Sequence, residues 1–260
     1  MATRKLLSQL LQRIIKPIEG FGAALILLFQ SIVWLFRPPY RWRLLIIQME
    51  FIGAGSTFIV MLTGLFTGMV FAVQTIQTFR LFNAETLVGS VVALSLMREL
   101  GPVLTALMVT GRVGSAIATE IGTMRVTEQI DALYAMAVHP VQYLVVPRML
   151  AAVIMLPILT AFCDLVGIGG AYLVSVGMMG VDGGMFLDKI QIYASSWDVT
   201  SGLIKAAVFG LIITLVACYK GLNATGGARG VGLATTSTVV LSSILILISD
   251  YFLTLVLYRS

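Results

Sequence analysis

The sequence predicts an all-α integral membrane protein with about five transmembrane helices, preceded by an N-terminal amphipathic and interfacial region. Only 11% of the 260 residues are charged and 58% are hydrophobic, whereas soluble domains carry about 25% charged residues. The mean hydropathy is +0.99. Residues 51–79 contain no charged side chain, and at about 1.5 Å per residue a helix of that length exceeds a hydrocarbon core of about 30 Å.

The same composition excludes several classes of protein. A disordered chain needs low hydrophobicity and high charge, which is the opposite pattern. Cys163 and Cys218 both lie inside apolar runs, so no disulfide framework is expected. The net charge of +5 is explained by the basic bias of cytoplasmic loops, and no nucleic-acid partner is expected.

Residues 1–43 predict helices at the membrane interface. Leucine and isoleucine recur at helical spacing in residues 1–18, with basic and amide side chains between them, which is typical of an amphipathic helix on a membrane surface. The apolar run 21–36 is short for a span and ends at a basic, aromatic segment, residues 37–43. We therefore expect an elbow helix anchored at the interface.

Residues 44–260 form one expected membrane domain. The predicted spans are about 50–79, 86–111, 149–180, 199–219 and 234–258. Residues 114–140 are too polar to span and predict a solvent-side loop that contains a short helix, and residues 220–232 predict a glycine-rich loop. A polar connection, residues 182–198, predicts a short surface helix.

Basic residues set the expected orientation. With the N-terminus in the cytoplasm and Arg98 inside a span, 12 basic residues lie on the cytoplasmic side and 4 on the outer side. The cytoplasmic side of a membrane protein carries the excess of lysine and arginine. We therefore expect a cytoplasmic N-terminus and an outer C-terminus.

The sequence offers no constellation for catalysis. His139 is the single histidine, and the two cysteines are not spaced as metal ligands. The glycine-dense segment 226–232 lacks the Lys-Ser/Thr that ends a phosphate-binding loop. We expect no catalytic residue, no metal and no cofactor on this chain, and no ATP hydrolysis by it.

Two adjacent charges interrupt the second predicted span. Arg98 and Glu99 lie near its middle, where each charge costs at least about 2.5–3.5 kcal/mol. Neighbouring residues on a helix do not face each other, so their partners must lie elsewhere. Two interpretations stay open: a polar site on a transport route, or a buried structural ion pair.

Residues 123–136 predict a short amphipathic helix on the cytoplasmic side. Its apolar side consists of Met124, Ile130, Leu133 and Met136, and its polar side consists of Arg125, Glu128, Gln129 and Asp131. Such a helix suits a groove on a partner protein. Resting on lipid headgroups is the alternative, but the mixed charge across 125–131, with two acids and one base, argues against anionic lipid.

Three runs in this chain resemble one family. They are Arg98-Glu99-Leu100-Gly101-Pro102 through Gly111-Arg112-Val113-Gly114-Ser115-Ala116, then Glu120-Ile121-Gly122-x-Met124-Arg125-Val126-Thr127-Glu128-Gln129-Ile130-x-Ala132-Leu133, then Gly226-Gly227-Ala228-x-Gly230-Val231-Gly232-x-Ala234-Thr235-Thr236. From about residue 45 to the end, the chain resembles the MlaE family of ABC-transporter permeases. It departs from the usual family pattern at His139 and Leu233.

The resemblance implies a function and a set of partners. It implies a homodimeric permease in the bacterial inner membrane, paired with a cytoplasmic ABC ATPase dimer that holds ATP and Mg²⁺, and it allows a small cytoplasmic accessory subunit. It also implies a periplasmic MCE-domain carrier, phospholipid as cargo and a role in outer-membrane lipid homeostasis. Residues 123–136 fall where the family has its coupling helix, so Met124, Arg125, Glu128, Gln129, Asp131 and Leu133 are the expected ATPase-coupling residues.

A lipid permease needs a cavity with apolar walls and a few charges for a headgroup. The expected residues of this cavity are Phe71, Val73, Ile76, Phe79, Phe82, Arg98 and Glu99. Two copies packed through small residues of the first and fifth spans would enclose it. The alternative function is an ion-coupled secondary transporter or channel, for which Glu99, Asp164 and Asp250 are the available acids.

Overall fold

A computed structural model describes residues 19–20, 22–38 and 40–258, and this part of the chain is helical with no strand. The predicted amphipathic helix of residues 1–18 lies outside the described residues. The helices are α1 (Gly22–Leu35), α2 (Trp42–Arg80), α3 (Glu85–Val126), α4 (Gln129–Ala135), α5 (Val141–Gly177), α6 (Gly183–Tyr193), α7 (Ser196–Leu222) and α8 (Gly227–Leu257).

Five of these helices, α2, α3, α5, α7 and α8, are long and apolar enough to cross a membrane, and α1 is a shorter apolar helix before them. This confirms the predicted fold class. The surface of the bundle is apolar, with Phe58, Phe66, Leu165 and Phe252 more than half exposed. Such a surface is stable against lipid, while charged side chains lie between helices.

The interface between α2 and α5 organises the bundle, because these two helices pack along most of their length. Small residues allow the close approach: a Cβ added at Gly68 would overlap the carbonyl oxygen of Gly167, and one at Gly64 would meet the backbone of Cys163. The pair Gly64 and Gly68 is therefore used inside one chain. The packing of two copies through other small residues of the first and fifth spans stays a prediction.

Helix α3 is longer than the sequence indicated. It was expected to end at about residue 111, yet it continues to Val126, with Ile117 and Ile121 fully buried against α7 and α8. The polar side chains that suggested a loop lie on the opposite face of the same helix. Two π-helical turns interrupt it, Leu96–Leu100 and Thr110–Gly114, and such turns are frequent at functional sites.

The expected helix 123–136 is split into two. Residues up to Val126 belong to α3, and α4 begins at Gln129 after a bend at Glu128, which has a left-handed φ of 60°. Below, residues 123–136 are called the coupling segment.

The remaining helix starts also differ from prediction. Helix α5 begins at Val141, eight residues early, because the side chain of Arg148 is buried and paired instead of ending the span. Helix α7 begins with a capping box in which Ser195 and Asp198 exchange hydrogen bonds. Helix α8 begins inside the predicted glycine loop, directly after Gly226 with its φ of 88°.

The bundle has two ends. The elbow end carries α1, the start of α2, the coupling segment and the α7–α8 connection, and the opposite end carries the α2–α3 connection and α6. The predicted surface helix is α6, whose Phe186 is buried against Gly89 of α3.

Candidate functional site

Five charged side chains from three helices meet near the opposite end of the bundle. We call them the charge cluster, and they are Arg98, Glu99, Asp198, Lys205 and Asp250. The two charges singled out in the sequence thus have partners on α7 and α8. Helical spacing explains the grouping, because Asp198 and Lys205 are seven residues apart on one face of α7.

Lys205 is the centre of the cluster and its side chain is completely buried. Its Nζ lies 2.6 Å from Oε2 of Glu99 and 3.1 Å from Oδ1 of Asp250. It also donates to Oγ1 of Thr254 at 2.8 Å. A buried ammonium is tolerated only when it is paired and hydrogen-bonded, and these three partners meet that requirement.

A proline leaves a backbone carbonyl free to accept a hydrogen bond from Lys205. Pro102 has no backbone N–H, so the carbonyl oxygen of Arg98, four residues earlier, loses its usual helical donor. Lys205 donates to that carbonyl at 2.9 Å. The π-helical turn at 96–100 and the proline therefore turn a backbone oxygen of α3 toward α7.

Arg98 is fixed from two sides. Its Nε and Nη2 both lie 2.7 Å from Oδ1 of Asp198, and its guanidinium lies 5.0 Å from the ring centre of Tyr258. Oδ2 of Asp198 accepts from the backbone N–H and the hydroxyl of Ser195, which makes the same carboxylate the cap of α7. Asp198 is almost fully buried, whereas 38% of the Arg98 side chain is exposed.

The cluster therefore has a closed side and an open side. Lys205 and Asp198 are buried, and Arg98 and Glu99 each keep 38% of the side chain exposed. With three carboxylates and two bases, it carries one negative charge in excess when all groups are ionised. Arg98 and Glu99 both form ion pairs in the structure. Their contact with lipid stays a prediction.

The sequence reasoning missed Asp198 and Lys205. Lys205 is one of the four basic residues that the orientation argument places on the outer side. It nevertheless lies inside the predicted span 199–219, and six apolar or small residues separate it from Asp198. A lysine inside a span is itself a signal of a buried partner. The lysine inside the span and the carbonyl freed by Pro102 are therefore the features of the sequence that indicate this contact.

The predicted wall residues do not line one common surface in a single chain. Ile76 is fully buried, and Phe71 and Phe79 pack on the same hydrophobic cluster beneath α3 and α6. Val73 is half-buried and Phe82 is exposed in the α2–α3 connection. An open groove of about 440 Å³ is lined by Phe66, Thr67, Val70, Phe71, Gln74 and Leu100. Of the five predicted walls, Phe71 alone lines this groove.

The coupling segment presents polar side chains at the elbow end. Arg125, Glu128, Gln129 and Asp131 are exposed, and an ion pair of 3.0 Å joins Arg125 to Asp131 across the bend. Met124 packs against the core and Leu133 is buried in it. These two residues hold the segment on the bundle and do not face outward.

Two contacts attach this end to α5 and α1. Arg148 of α5 is buried and pairs with Glu120 of α3 at 2.8 Å. The ring of His139 stacks on Trp34 of α1 with 4.5 Å between ring centres. Burial lowers the pKa of His139 below its usual value, which favours the neutral imidazole.

Comparison with known proteins gives close relatives over the full length. The chain is 47% identical to a probable ABC transporter permease protein of Rickettsia felis over 248 residues, 95% of this chain and 96% of that one. It is 40% identical to the intermembrane phospholipid transport system permease protein MlaE of Haemophilus influenzae over 97% of both chains. The chloroplastic protein trigalactosyldiacylglycerol 1 of Arabidopsis thaliana is 39% identical over 86% of this chain and 64% of that protein.

Fold, site and relatives define the class of protein first. Five helices in the described part of the chain are long and apolar enough to cross a membrane, and the relatives include ABC transporter permeases, so the chain is a multi-pass membrane permease, the membrane subunit of an ABC transporter. Residues 45–256 match the family described as Permease MlaE, and the chain belongs to the MlaE permease family. The predicted resemblance is confirmed. An ABC permease works with an ATPase partner, so ion-coupled transport, the alternative function, is not supported.

Proposed function

We propose that this chain is the permease subunit of an ATP-driven transporter that moves phospholipid between the bacterial inner membrane and a periplasmic MCE-type carrier. In this role it contributes to outer-membrane lipid homeostasis. Family membership supports transport by an ABC system, and the name of the Haemophilus influenzae relative, an intermembrane phospholipid transport system permease protein, supports phospholipid as the cargo.

The single observation that carries the proposal is Arg98, whose guanidinium is paired with Asp198 while 38% of its side chain stays exposed near the opposite end of the bundle. Two nitrogens of its guanidinium contact Asp198, and Nη1 has no partner among the described residues. The groove of about 440 Å³ lies between α2 and α3, and its lining includes Leu100 but not Arg98, which contacts α7. A partly exposed guanidinium inside the membrane suits a phosphate headgroup, and an apolar groove on the same helix suits an acyl chain.

The groove between α2 and α3 is open in a single chain. Its volume lies within the range of drug-sized pockets, roughly 300–1,000 Å³, and a two-chain lipid needs further walls. A second copy of this chain supplies them in the proposal. Helix α8 is the least buried of the five spans, and its exposed apolar residues are available for contact with that copy or with lipid.

The coupling segment is the proposed contact with the ATPase. Its polar side chains stand out at the elbow end while Leu133 and Met124 anchor it. The bend at Glu128 is part of the α3 helix end, so a displacement of the segment is passed to the helix that carries Arg98 and Glu99. With the N-terminus in the cytoplasm, this end faces the ATP-hydrolysing subunits.

Charge reversal at Glu128 tests this assignment. Lysine and glutamate are both unbranched at Cβ, so Glu128→Lys keeps the backbone cost of the positive φ nearly unchanged. We expect the reconstituted complex with its cognate ATPase to lose most of its lipid-stimulated ATP hydrolysis, measured as phosphate release.

Asp188→Lys is the matched control. Asp188 is exposed on α6 at the opposite end of the bundle, so this variant should keep stimulated ATP hydrolysis. Normal stimulation in an assembled Glu128→Lys complex would show that the coupling segment does not bind the ATPase through this residue.

A further inference from the structure

We propose that a pocket at the elbow end binds one anionic phospholipid that stays with the protein and is distinct from the transported cargo. The pocket, called here the elbow pocket, is a cavity of about 360 Å³ between the end of α1, the start of α2 and the start of α5. It lies at the end of the bundle that does not carry the charge cluster. The inference does not depend on the proposed function.

The walls of the elbow pocket suit an acyl chain. They are formed mainly by apolar side chains from three helices, including Trp34, Leu45, Val146 and Leu150. In a membrane protein an apolar cavity at the protein surface is in reach of lipid tails. Its volume is that of a small ligand pocket, which accommodates part of one acyl chain.

Two arginines line the same pocket. The guanidinium of Arg37 lies 5.5 Å from the ring centre of Trp34, and that of Arg41 lies 4.7 Å from the ring centre of Tyr143. Cation–π contacts hold both side chains in place. The backbone oxygen of Arg37 also accepts from Nε2 of Gln142 at 2.9 Å, which ties the α1–α2 connection to α5.

In the part of the chain that the structure describes, these arginines have no carboxylate partner. Among the described residues neither Arg37 nor Arg41 forms an ion pair, and Nε of Arg41 is buried with no hydrogen-bond partner in that part of the chain. A phosphate group fits such a pair of guanidinium groups in charge and geometry.

Neighbouring aromatics place the arginines at headgroup level. Phe36, Tyr40 and Trp42 are all more than half exposed, and exposed tyrosine and tryptophan mark the membrane–water interface. A free phosphate ion would leave the apolar walls unfilled, and a zwitterionic lipid gains less from uncompensated positive charge than an anionic one. The chemistry of the elbow pocket therefore selects an anionic phospholipid.

Lipid titration followed by native mass spectrometry tests the proposal. The full chain, purified in a nonionic detergent, is titrated with phosphatidylglycerol or with phosphatidylcholine of identical acyl chains. We expect one phosphatidylglycerol per chain to bind more tightly than phosphatidylcholine. Arg37→Gln combined with Arg41→Gln should weaken phosphatidylglycerol binding by about tenfold or more.

Arg43→Gln is the matched control, because Arg43 is exposed on the same surface and does not line the pocket. It should bind like the unchanged protein. Leu150→Trp fills the apolar part of the pocket and should also weaken retention, which provides a second variant if the arginine variant fails to fold. Excess inorganic phosphate should not displace the lipid.

Three results would overturn the proposal. The first is equal binding of the two lipids by the unchanged protein. The second is retention of the phosphatidylglycerol preference by the folded arginine variant. The third is displacement of the lipid by inorganic phosphate alone.

Discussion

Lys205 is the residue on which the charge cluster depends. Its ammonium pairs with both Glu99 and Asp250 and also donates to the carbonyl of Arg98. Removing one member of a buried ion pair leaves the partners charged and desolvated, which typically costs roughly 3–5 kcal/mol. The partial exposure of Glu99 lowers this cost toward the smaller value.

We predict that Lys205→Met lowers the free energy of unfolding by about 3 kcal/mol. The measurement is thermal unfolding of the purified chain in detergent. Lys189→Met, on α6 and outside any ion pair among the described residues, should unfold like the unchanged protein. Adding Glu99→Gln to Lys205→Met should recover part of the loss, and an unchanged melting temperature for Lys205→Met would contradict the role assigned to the lysine.

The stability of the elbow end depends on pH through His139. Burial lowers its pKa below the usual value of 6.5, so the folded state favours the neutral ring stacked on Trp34. The stability from this preference is fully present above the unfolded pKa and is lost as the pH falls through the folded pKa.

We predict a steeper fall of the melting temperature between about pH 7 and about pH 5 for the unchanged protein than for His139→Phe. Phenylalanine keeps an aromatic ring against Trp34 and cannot be protonated. The difference between the two melting curves isolates His139 from the other titrating groups. Parallel curves would show that the histidine does not carry this dependence.

Single residues show where sequence reasoning succeeded and where it stopped. The cost of charge in a membrane predicted that Arg98 and Glu99 need partners outside their own helix, and the structure provides them. The identity of those partners required the fold, because Asp198 lies 100 positions and Lys205 106 positions away. Apolar pattern also identified Ile76 as a cavity wall, whereas its position on α2 places it in the core.

At the scale of elements, the contact between α2 and α5 depends on glycine. Gly68 has no room for a Cβ because the backbone of Gly167 lies against it, whereas Gly169 on α5 has open space around it. Overpacking a tight interface costs typically about 1–3 kcal/mol.

We predict that Gly68→Ala lowers the free energy of unfolding by at least about 1–3 kcal/mol. Gly169→Ala should leave it unchanged or raise it slightly, since alanine favours a helix by about 1 kcal/mol over glycine. Thermal unfolding of both variants in detergent is the measurement. Equal melting temperatures would mean that the two helices do not pack as closely as described.

Elements were predicted well where apolar runs were long. All five spans and the surface helix α6 correspond to predicted segments. Residues 114–140 predicted a solvent-side loop with a short helix because they hold Glu120, Arg125, Glu128, Asp131 and His139. Residues 114–126 instead continue α3, because their opposite face is buried against α7 and α8. Hydropathy alone does not predict amphipathic helices at the end of a bundle.

At the scale of the whole molecule, one helix connects the charge cluster to the coupling segment. Helix α3 carries Arg98 and Glu99 toward the opposite end and continues into the coupling segment at the elbow end. An ATPase that displaces the coupling segment therefore acts on the helix that carries the proposed lipid contact. This connection is the central claim of the proposed mechanism.

ATP-dependent phospholipid transfer between proteoliposomes that contain the complete complex and a soluble MCE-domain carrier tests that claim most directly. Transfer is followed in both directions with a labelled phospholipid. We predict transfer that requires ATP and that falls at least about tenfold in Arg98→Gln, with assembly and ATPase activity retained. Transfer at the same rate without ATP, or normal transfer by an assembled Arg98→Gln complex, would contradict the account.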